Sequence, residues 1–198
     1  MRKVVLTMQT TLDGRIAHAD GTFWEPFAWG DPEQAYLNHY FRAADTWAMS
    51  RVLYDAIVPF WEAVAVGRPP DDAGELGAAD LEFAEIQHRL RKVVFSTTMT
   101  GVEGGTVIEG DLAAQLQALK TDPGQDILLS AGPTTLVPIL ASAGLVDELV
   151  MPVHPAVITN GPRLFGGVPA DLAFTLAEAQ TFASGCVVLH YLIESPRA

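Results

Sequence analysis

The sequence predicts a three-layer α/β fold, with a mostly parallel central sheet between two layers of helices and an antiparallel hairpin at the C-terminal end. Short apolar runs alternate with segments of helical periodicity, which is the pattern of a parallel sheet with crossover helices. Only residues 183–185 separate the last two apolar runs, a spacing typical of a hairpin loop. A length of 198 residues, 49% of them hydrophobic, favours one packed domain over residues 1–198.

The strands are predicted from apolar and β-branched runs that are bounded by turn residues. The first run leads into a turn at residues 10–14, which contains the pair Asp13 and Gly14. Strands of the parallel part are expected at residues 3–9, 46–50, 92–96, 106–109, 126–130 and 146–153. The two hairpin strands are expected near residues 173–182 and 186–194.

The helices are predicted from apolar residues at helical spacing together with signals for helix starts. Asp31 before Pro32 predicts an N-cap for the first helix, and Asp111 predicts another before residue 112. Residues 67–80 are rich in Gly, Pro and Asp and predict a surface loop. Helices are expected at residues 32–42, 52–58, 81–90 and 112–120, and from residue 133 to about 144.

Composition and charge exclude several classes of function. The formal net charge is −12, which argues against a nucleic-acid partner because such binding depends on cations that neutralise phosphates. The apolar runs are too short for a membrane span or a secretory leader, so we expect a cytoplasmic protein without a membrane partner. The five histidines and the lone Cys186 lack metal-ligand spacing, so no metal site is expected, and Cys186 is predicted to be buried and inert.

Polar residues follow four predicted strands at the point where each strand ends. In open α/β sheets, ligands bind beyond the carboxyl ends of the strands. We therefore expect one crevice lined by the turns at residues 10–11, 50–51, 96–98 and 130–132. Arg51 lies between a strand and a helix start, where a guanidinium and backbone N–H groups together suit an anion. An ordinary surface arginine is the alternative.

Five segments in order carry a family resemblance over nearly the whole chain. They are Thr11-Leu-Asp-Gly-Arg-Ile-Ala17, Ala48-Met-Ser-Arg-Val-Leu-Tyr54, Val93-Val-Phe-Ser-Thr-Thr98, Leu128-Leu-Ser-Ala-Gly-Pro-Thr-Thr-Leu136 and Gly144-Leu-Val-Asp-Glu-Leu149. On these segments the chain resembles the dihydrofolate-reductase-like family, which includes the reductase domain of bacterial riboflavin biosynthesis. The resemblance implies that fold, NADPH as the cofactor, hydride transfer to a small pteridine- or pyrimidine-like substrate, and a homodimer paired through its late strands.

The resemblance also implies a set of cofactor-binding residues. Arg51 would bind the adenosine 2′-phosphate, with hydroxyl donors from Ser96 and Thr97. Ala131 and Gly132 occupy the place of the family's paired glycines, where backbone approaches the cofactor, and Gly132 suits unusual dihedral angles or a bare backbone. The remaining candidates are Thr11 and Ser50 in two of the turns, and Thr134 and Thr135 at a helix start whose N–H groups would face the pyrophosphate.

The candidate substrate-pocket residues are Leu12, Trp24 and Trp29. In the family, the loop that holds Leu12 covers the nicotinamide and the substrate, and flat aromatic side chains suit a heterocycle. The two tryptophans would alternatively form a hydrophobic lid or a dimer contact. Asp13 and Glu33 are the candidate catalytic groups for supplying a proton, with water as the alternative, although a turn role is favoured for Asp13.

Three residues depart from the family's pattern and leave a second function open. Ser130 replaces the glutamate that riboflavin-pathway reductases carry before the paired glycines, and Ala131 replaces the first of those glycines. Leu53 stands where dihydrofolate reductases place a threonine. Ser130 bears on the identity of the substrate. Ala131 and Leu53 favour the alternative of a non-catalytic protein that binds a nucleotide or a flavin in the same crevice.

Overall fold

The computed structural model describes residues 1–23, 27, 29–71, 73–142, 144–169 and 171–193, which form nine strands and five α-helices. The strands are β1 (Val4–Thr7), β2 (Thr10–Thr11), β3 (Ala44–Ser50), β4 (Arg91–Phe95), β5 (Gly105–Ile108), β6 (Asp126–Ser130), β7 (Glu148–His154), β8 (Phe174–Thr181) and β9 (Val187–Ile193). The helices are α1 (Asp31–Arg42), α2 (Arg51–Ala65), α3 (Ala78–Arg89), α4 (Leu112–Thr121) and α5 (Pro133–Leu140).

The strands form one sheet in the order β5-β4-β3-β6-β1-β7-β9-β8, with β2 paired to the end of β7. Every pairing from β5 to β7 is parallel, and Leu6 in β1 lies between Leu129 and Leu149 of its two neighbours. β9 runs antiparallel to both β7 and β8, and the hairpin between β8 and β9 closes where the Phe182 N–H donates to the Cys186 carbonyl. The predicted α/β class, with a mostly parallel sheet and a C-terminal antiparallel hairpin, is confirmed.

The helices cover both faces of the sheet, so alternate residues of the central strands enter two separate cores. Val4 and Leu6 of β1 pack on the face covered by α4 and α5. Val5 between them packs on the opposite face, beneath α1, α2 and α3. Because both faces are buried, the strand sequences are continuous apolar runs, and this made them recognisable in the sequence.

The structure corrects the predicted bounds of three helices. α2 continues to Ala65 although Pro59 lies inside it, because the burial of Val58, Trp61 and Val64 offsets the single N–H that proline lacks. α3 begins at Ala78, within the predicted loop, and α5 ends at Leu140 instead of near residue 144. Residues 10 and 11 form the short strand β2, where a turn was expected.

The two predicted N-caps have different outcomes. Asp111 caps α4, since its carboxylate accepts the Ala114 N–H at 3.1 Å. The prediction for Asp31 is wrong: Gly30 is the N-cap of α1 and makes no side-chain capping bond. The Asp31 carboxylate accepts the Ala79 N–H at 3.1 Å instead, which joins the start of α1 to the start of α3.

Candidate functional site

A cavity of about 940 Å³ opens at the carboxyl ends of the parallel strands. Three of the four turns expected there line it, namely those at residues 50–51, 96–98 and 130–132. Thr10 and Thr11 do not line it, because their pairing with β7 leaves both almost fully buried. Residues 7–9, at the end of β1, line the cavity in their place.

The lining falls into two parts of different chemistry. The first, which we call the strand-end rim, is polar and comprises Ser50, Arg51, Ser96, Thr97, Thr98, Glu109, Gly132, Thr134 and Thr135. The second, which we call the aromatic wall, comprises Phe41, Trp47, Trp61 and Phe83, which pack between the sheet and helices α1, α2 and α3, together with Phe27 and Trp29, which precede α1. The cavity can therefore bind a polar ligand along one part and a flat apolar ligand along the other.

Arg51 is placed in the rim by an abrupt junction, since it is the first residue of α2 and directly follows the last residue of β3. Its Nη1 donates to the Thr98 Oγ1 at 2.5 Å, and its Nε pairs with Asp55 at 3.0 Å, one helical turn away. Ser50, the N-cap of α2, makes no side-chain capping bond, and the first turn holds no acidic residue. A cation and uncapped helix N–H groups therefore lie together, an arrangement that suits an anion.

Ser96 is held in place by the loop that follows β4. Its Oγ accepts the backbone N–H groups of Thr98 at 3.2 Å and Met99 at 3.0 Å. Neither bond uses the hydroxyl proton of Ser96, which can be donated to a ligand. Thr97 lies between these residues and also lines the cavity.

Gly132 is the N-cap of α5 and lines the cavity with a bare backbone. Its φ of −79° and ψ of 174° are open to any residue, so of the two alternatives given for Gly132, unusual dihedral angles or a bare backbone, the first does not apply. Among the described residues outside its own helix turn, a Cβ added there would meet one atom within 4 Å, the Ile16 Cδ1 at 3.4 Å. Ala131 differs from its predicted place beside the cofactor, because it is fully buried in the core under α4 and α5 and does not line the cavity.

Two polar pairs in the aromatic wall were not predicted. The Trp47 Nε1 donates to the Ser130 Oγ at 2.9 Å, and that hydroxyl donates to the Thr7 carbonyl at 3.1 Å. The Trp29 Nε1 donates to the Gln34 Oε1 at 2.8 Å. Alternation along β3 puts Trp47 and Ser50 on opposite faces, but only the packing of the helices shows that the Trp47 ring borders the cavity. Trp24 lies outside the described residues.

Leu12 and Asp13 belong to the outer surface of the loop and do not line the cavity. Leu12 is 66% exposed. The Asp13 carboxylate accepts the Thr11 hydroxyl at 2.6 Å and pairs with the Arg15 Nε at 3.0 Å. The bond from Thr11 makes the largest contribution to lowering the pKa of Asp13, with help from the Ile158 N–H and from Arg15. These bonds favour the turn role for Asp13 over proton donation.

Glu33 is placed away from the cavity. It is 3% exposed and accepts a hydrogen bond from the Ser184 hydroxyl in the hairpin loop. The next residue of α1, Gln34, lines the cavity instead. Among the described residues, no group of three or more His, Cys, Asp or Glu side chains is arranged to hold a metal ion. None of the described helices combines the length and the apolar character needed to cross a membrane.

The sheet order, the antiparallel hairpin and the cavity at the strand ends define an α/β protein with a dihydrofolate-reductase-like fold. Residues 2–188 match the family model of the RibD C-terminal domain, and the chain belongs to that family, which is a family of reductases. The match covers every described strand and helix except the last residues of β9.

Comparison with individual proteins agrees with this assignment. The chain is 28% identical to the uncharacterized protein YyaP of Bacillus subtilis over 192 residues, which are 96% of this chain and 94% of that protein. A Thermotoga maritima diaminohydroxyphosphoribosylaminopyrimidine deaminase/5-amino-6-(5-phosphoribosylamino)uracil reductase superposes with a TM-score of 0.65 at 15% identity, over 98% of this chain and 57% of that longer one. Enterococcus faecalis dihydrofolate reductase, complexed with NADP(H), superposes with a TM-score of 0.62 at 10% identity, over 98% and 97% of the two chains.

Proposed function

We propose that this chain is an NADPH-dependent reductase that transfers a hydride to a small pteridine- or pyrimidine-like heterocycle. The observation that carries the proposal is the position of Arg51 at the uncapped start of α2, in a cavity that it shares with the bare backbone of Gly132. Membership of the RibD C-terminal domain family and the likeness to an NADP(H)-bound dihydrofolate reductase support it.

The strand-end rim has the donors that an NADPH molecule requires. Arg51, Ser96 and Thr97 would hold the 2′-phosphate, since a guanidinium and hydroxyl donors match a phosphate dianion. Thr134 and Thr135 open α5 after Gly132, and the helix start would hold the pyrophosphate. An added Cβ at Gly132 would contact Ile16 and otherwise occupy cavity space. Without that Cβ, the pyrophosphate has room to approach the Gly132 backbone closely. Thr11 is buried and is not part of this set.

The protein's contribution to the reaction is positioning and exclusion of water. When bound, NADPH supplies a hydride to one atom of a polarised substrate double bond, leaving NADP⁺, while a proton is added to the neighbouring atom. Asp13 and Glu33 do not line the cavity, and Glu109, the one carboxylate among the described lining residues, belongs to the strand-end rim and not to the aromatic wall. We therefore propose that water supplies this proton. The aromatic wall would hold the substrate ring flat and limit the number of waters near it.

The alternative of a non-catalytic nucleotide or flavin binder loses one of its two supports. Ala131 was expected to crowd the cofactor with its methyl group, but that methyl is buried in the core. Leu53 does line the cavity, as part of α2. A protein that binds NADPH and yet oxidises none of it with any pteridine or pyrimidine would favour this alternative.

Cofactor preference tests the proposal. NADPH and NADH are titrated into the wild-type protein, Arg51→Ala and the control Arg89→Ala, whose arginine is exposed on α3 outside the cavity. Charge-assisted hydrogen bonds contribute about 1.5–3 kcal/mol, so the wild type and Arg89→Ala should prefer NADPH by roughly tenfold or more. Arg51→Ala should lose most of that preference. Equal binding of NADPH and NADH by the wild type would contradict the assignment.

We also propose that the protein is a homodimer paired through β8 and β9. β8 is an edge strand of the sheet, so its unpaired backbone groups can pair with a strand of a partner. Leu176 in β8 and Leu192 in β9, on opposite faces of the hairpin, are 52% and 45% exposed and would add apolar contacts beside that edge. Sedimentation analysis should give the mass of a dimer, and Leu176→Glu should give a monomer. Leu81→Glu, at an equally exposed leucine on α3, should stay dimeric. A monomeric wild type would contradict this proposal.

A further inference from the structure

The aromatic wall is a preformed surface of fixed shape. The Phe41 ring meets the Trp47 and Phe83 rings edge to face, with centroids 5.1 and 4.9 Å apart, and Trp61 meets Phe83 at 5.1 Å. Each of these four side chains is less than one-tenth exposed. Rings that hold one another in this way leave a rigid apolar surface, which suits a flat ligand better than a flexible one.

The polar groups of the wall are bonded within the protein and carry no charge. Trp47 donates to Ser130, whose own proton goes to the Thr7 carbonyl. The carbonyl oxygen of Gln34 accepts the Trp29 indole, and its amide nitrogen donates to the Asn38 Oδ1 at 2.8 Å. Thr7 and Gln9, which also line the cavity, are neutral as well. Among the described residues, a ligand at the wall is therefore offered neutral hydrogen-bonding groups and no charged one.

Charged groups are confined to the other part of the cavity. Among the described lining residues Arg51 is the one cation and Glu109 the one carboxylate, and both belong to the strand-end rim. Two buried lysines of the sheet region do not line the cavity and form ion pairs within the protein, Lys92 with Glu62 and Lys120 with Asp147. A phosphate group at the wall would lie against aromatic rings without a counter-charge, which is strongly unfavourable.

We infer that the substrate of this protein is an uncharged, flat ring compound that carries no phosphate group. The inference rests on the proposed function, because it assumes that the cofactor's phosphate occupies Arg51 and leaves no cation for the substrate. The substrate then differs from the phosphoribosylaminouracil named for the reductase of Thermotoga maritima. Ser130, the neutral residue where riboflavin-pathway reductases carry glutamate, is part of this uncharged surface.

A matched pair of probes tests the inference. The protein is first saturated with NADP⁺, which fills the rim without reacting, and is then titrated with 4-methylumbelliferone or with 4-methylumbelliferyl phosphate at slightly acid pH, where the former is uncharged. Calorimetry should show roughly tenfold or tighter binding of the unphosphorylated probe. A preference smaller than tenfold, a preference for the phosphate, or no binding of either probe overturns the inference.

Two lysine variants test whether the missing cation in the cavity is the reason for weak binding of the phosphate probe. Leu53→Lys adds a cation to the cavity lining and should increase affinity for the phosphate probe roughly tenfold or more, with circular dichroism to confirm folding. Leu81→Lys, on the exposed surface of α3, should leave both affinities unchanged. An equal gain in both variants would also overturn the inference. If NADPH binds as proposed and the probes fail, only the inference falls; if NADPH does not bind, both proposals fall.

Discussion

Replacing Gly132 by valine separates cofactor binding from folding. The φ of −79° at this residue is favourable for valine, and the added Cβ has one protein neighbour, the Ile16 Cδ1 at 3.4 Å. Valine is a poorer N-cap than glycine, which lowers the free energy of unfolding by about 1 kcal/mol. Valine also restricts the unfolded chain more than glycine does, which raises the free energy of unfolding by about 0.4–1 kcal/mol. The two effects nearly cancel, so Tm should move by no more than about 2–4 °C.

The effect on binding should be much larger. If the NADPH pyrophosphate contacts the backbone at Gly132 and the start of α5, a valine side chain lies in its path and breaks at least one charge-assisted hydrogen bond. Each such bond contributes about 1.5–3 kcal/mol, so the Kd for NADPH should rise by roughly tenfold to a hundredfold. Gly132→Ala, which adds a single methyl, should give a smaller loss.

The assay is a fluorescence or calorimetric titration of NADPH into each variant, after circular dichroism and thermal melting have established folding. Gly101→Val is the matched control, because Gly101 has an ordinary φ, meets nothing within 4 Å of an added Cβ and lies outside the cavity. Ala131→Gly should lose some stability and keep its affinity, since that methyl is buried in the core. A folded Gly132→Val protein that binds NADPH like the control would refute the assignment of the cofactor site.

Three further predictions concern stability and reactivity. Burial, followed by the charge of nearby Glu33, raises the pKa of Cys186 to about 11, so Ellman's reagent should react with Cys186 at neutral pH only after unfolding, and rapid reaction of the native protein would contradict this. Burial opposes ionisation of Glu148, but its bonds with Lys3 and His190 together lower its pKa below 4.5. That stabilisation is present above pH 4.5 and is lost as pH falls through the lowered pKa, so Tm should fall less steeply in Glu148→Gln than in the wild type below pH 4.5. Asp111→Ala should cost about 1 kcal/mol in urea unfolding, and an unchanged midpoint would count against the capping bond.

Much of the sheet was predictable because its signals are local. β4 and β6 each contain an apolar run of three residues buried on both faces, and their observed bounds lie within one residue of the predicted ones. The second half of α2 was not predictable in the same way. Pro59 is a strong local signal for a helix end, and it is overridden by contacts of Trp61 and Val64 with distant parts of the chain.

The two parts of the cavity also differ in whether local sequence signals predict them. Ser50, Arg51 and Ser96 of the strand-end rim follow the ends of their strands, so sequence position alone brings them to one edge of the sheet. The aromatic wall combines side chains from β3, from three helices and from the segment that precedes α1, and these meet only through packing. Trp47 and Phe83 carried no local signal of this proximity, and Glu33 was chosen one position away from Gln34, an α1 residue that does line the cavity.

The junction between β3 and α2 has no spacer residue, which makes the orientation of Arg51 a matter of helical phase. An α-helix turns by about 100° per residue. If one residue were inserted between Ser50 and Arg51 and the helix still began directly after Ser50, Arg51 would become the second helical residue and its guanidinium would be rotated away from its present position. A loop can accommodate an inserted residue without a change in the elements on either side, but no loop residue separates β3 from α2. If Arg51 holds the 2′-phosphate as proposed, cofactor choice can change by substitution at residue 51 but not by a change in chain length at the same point.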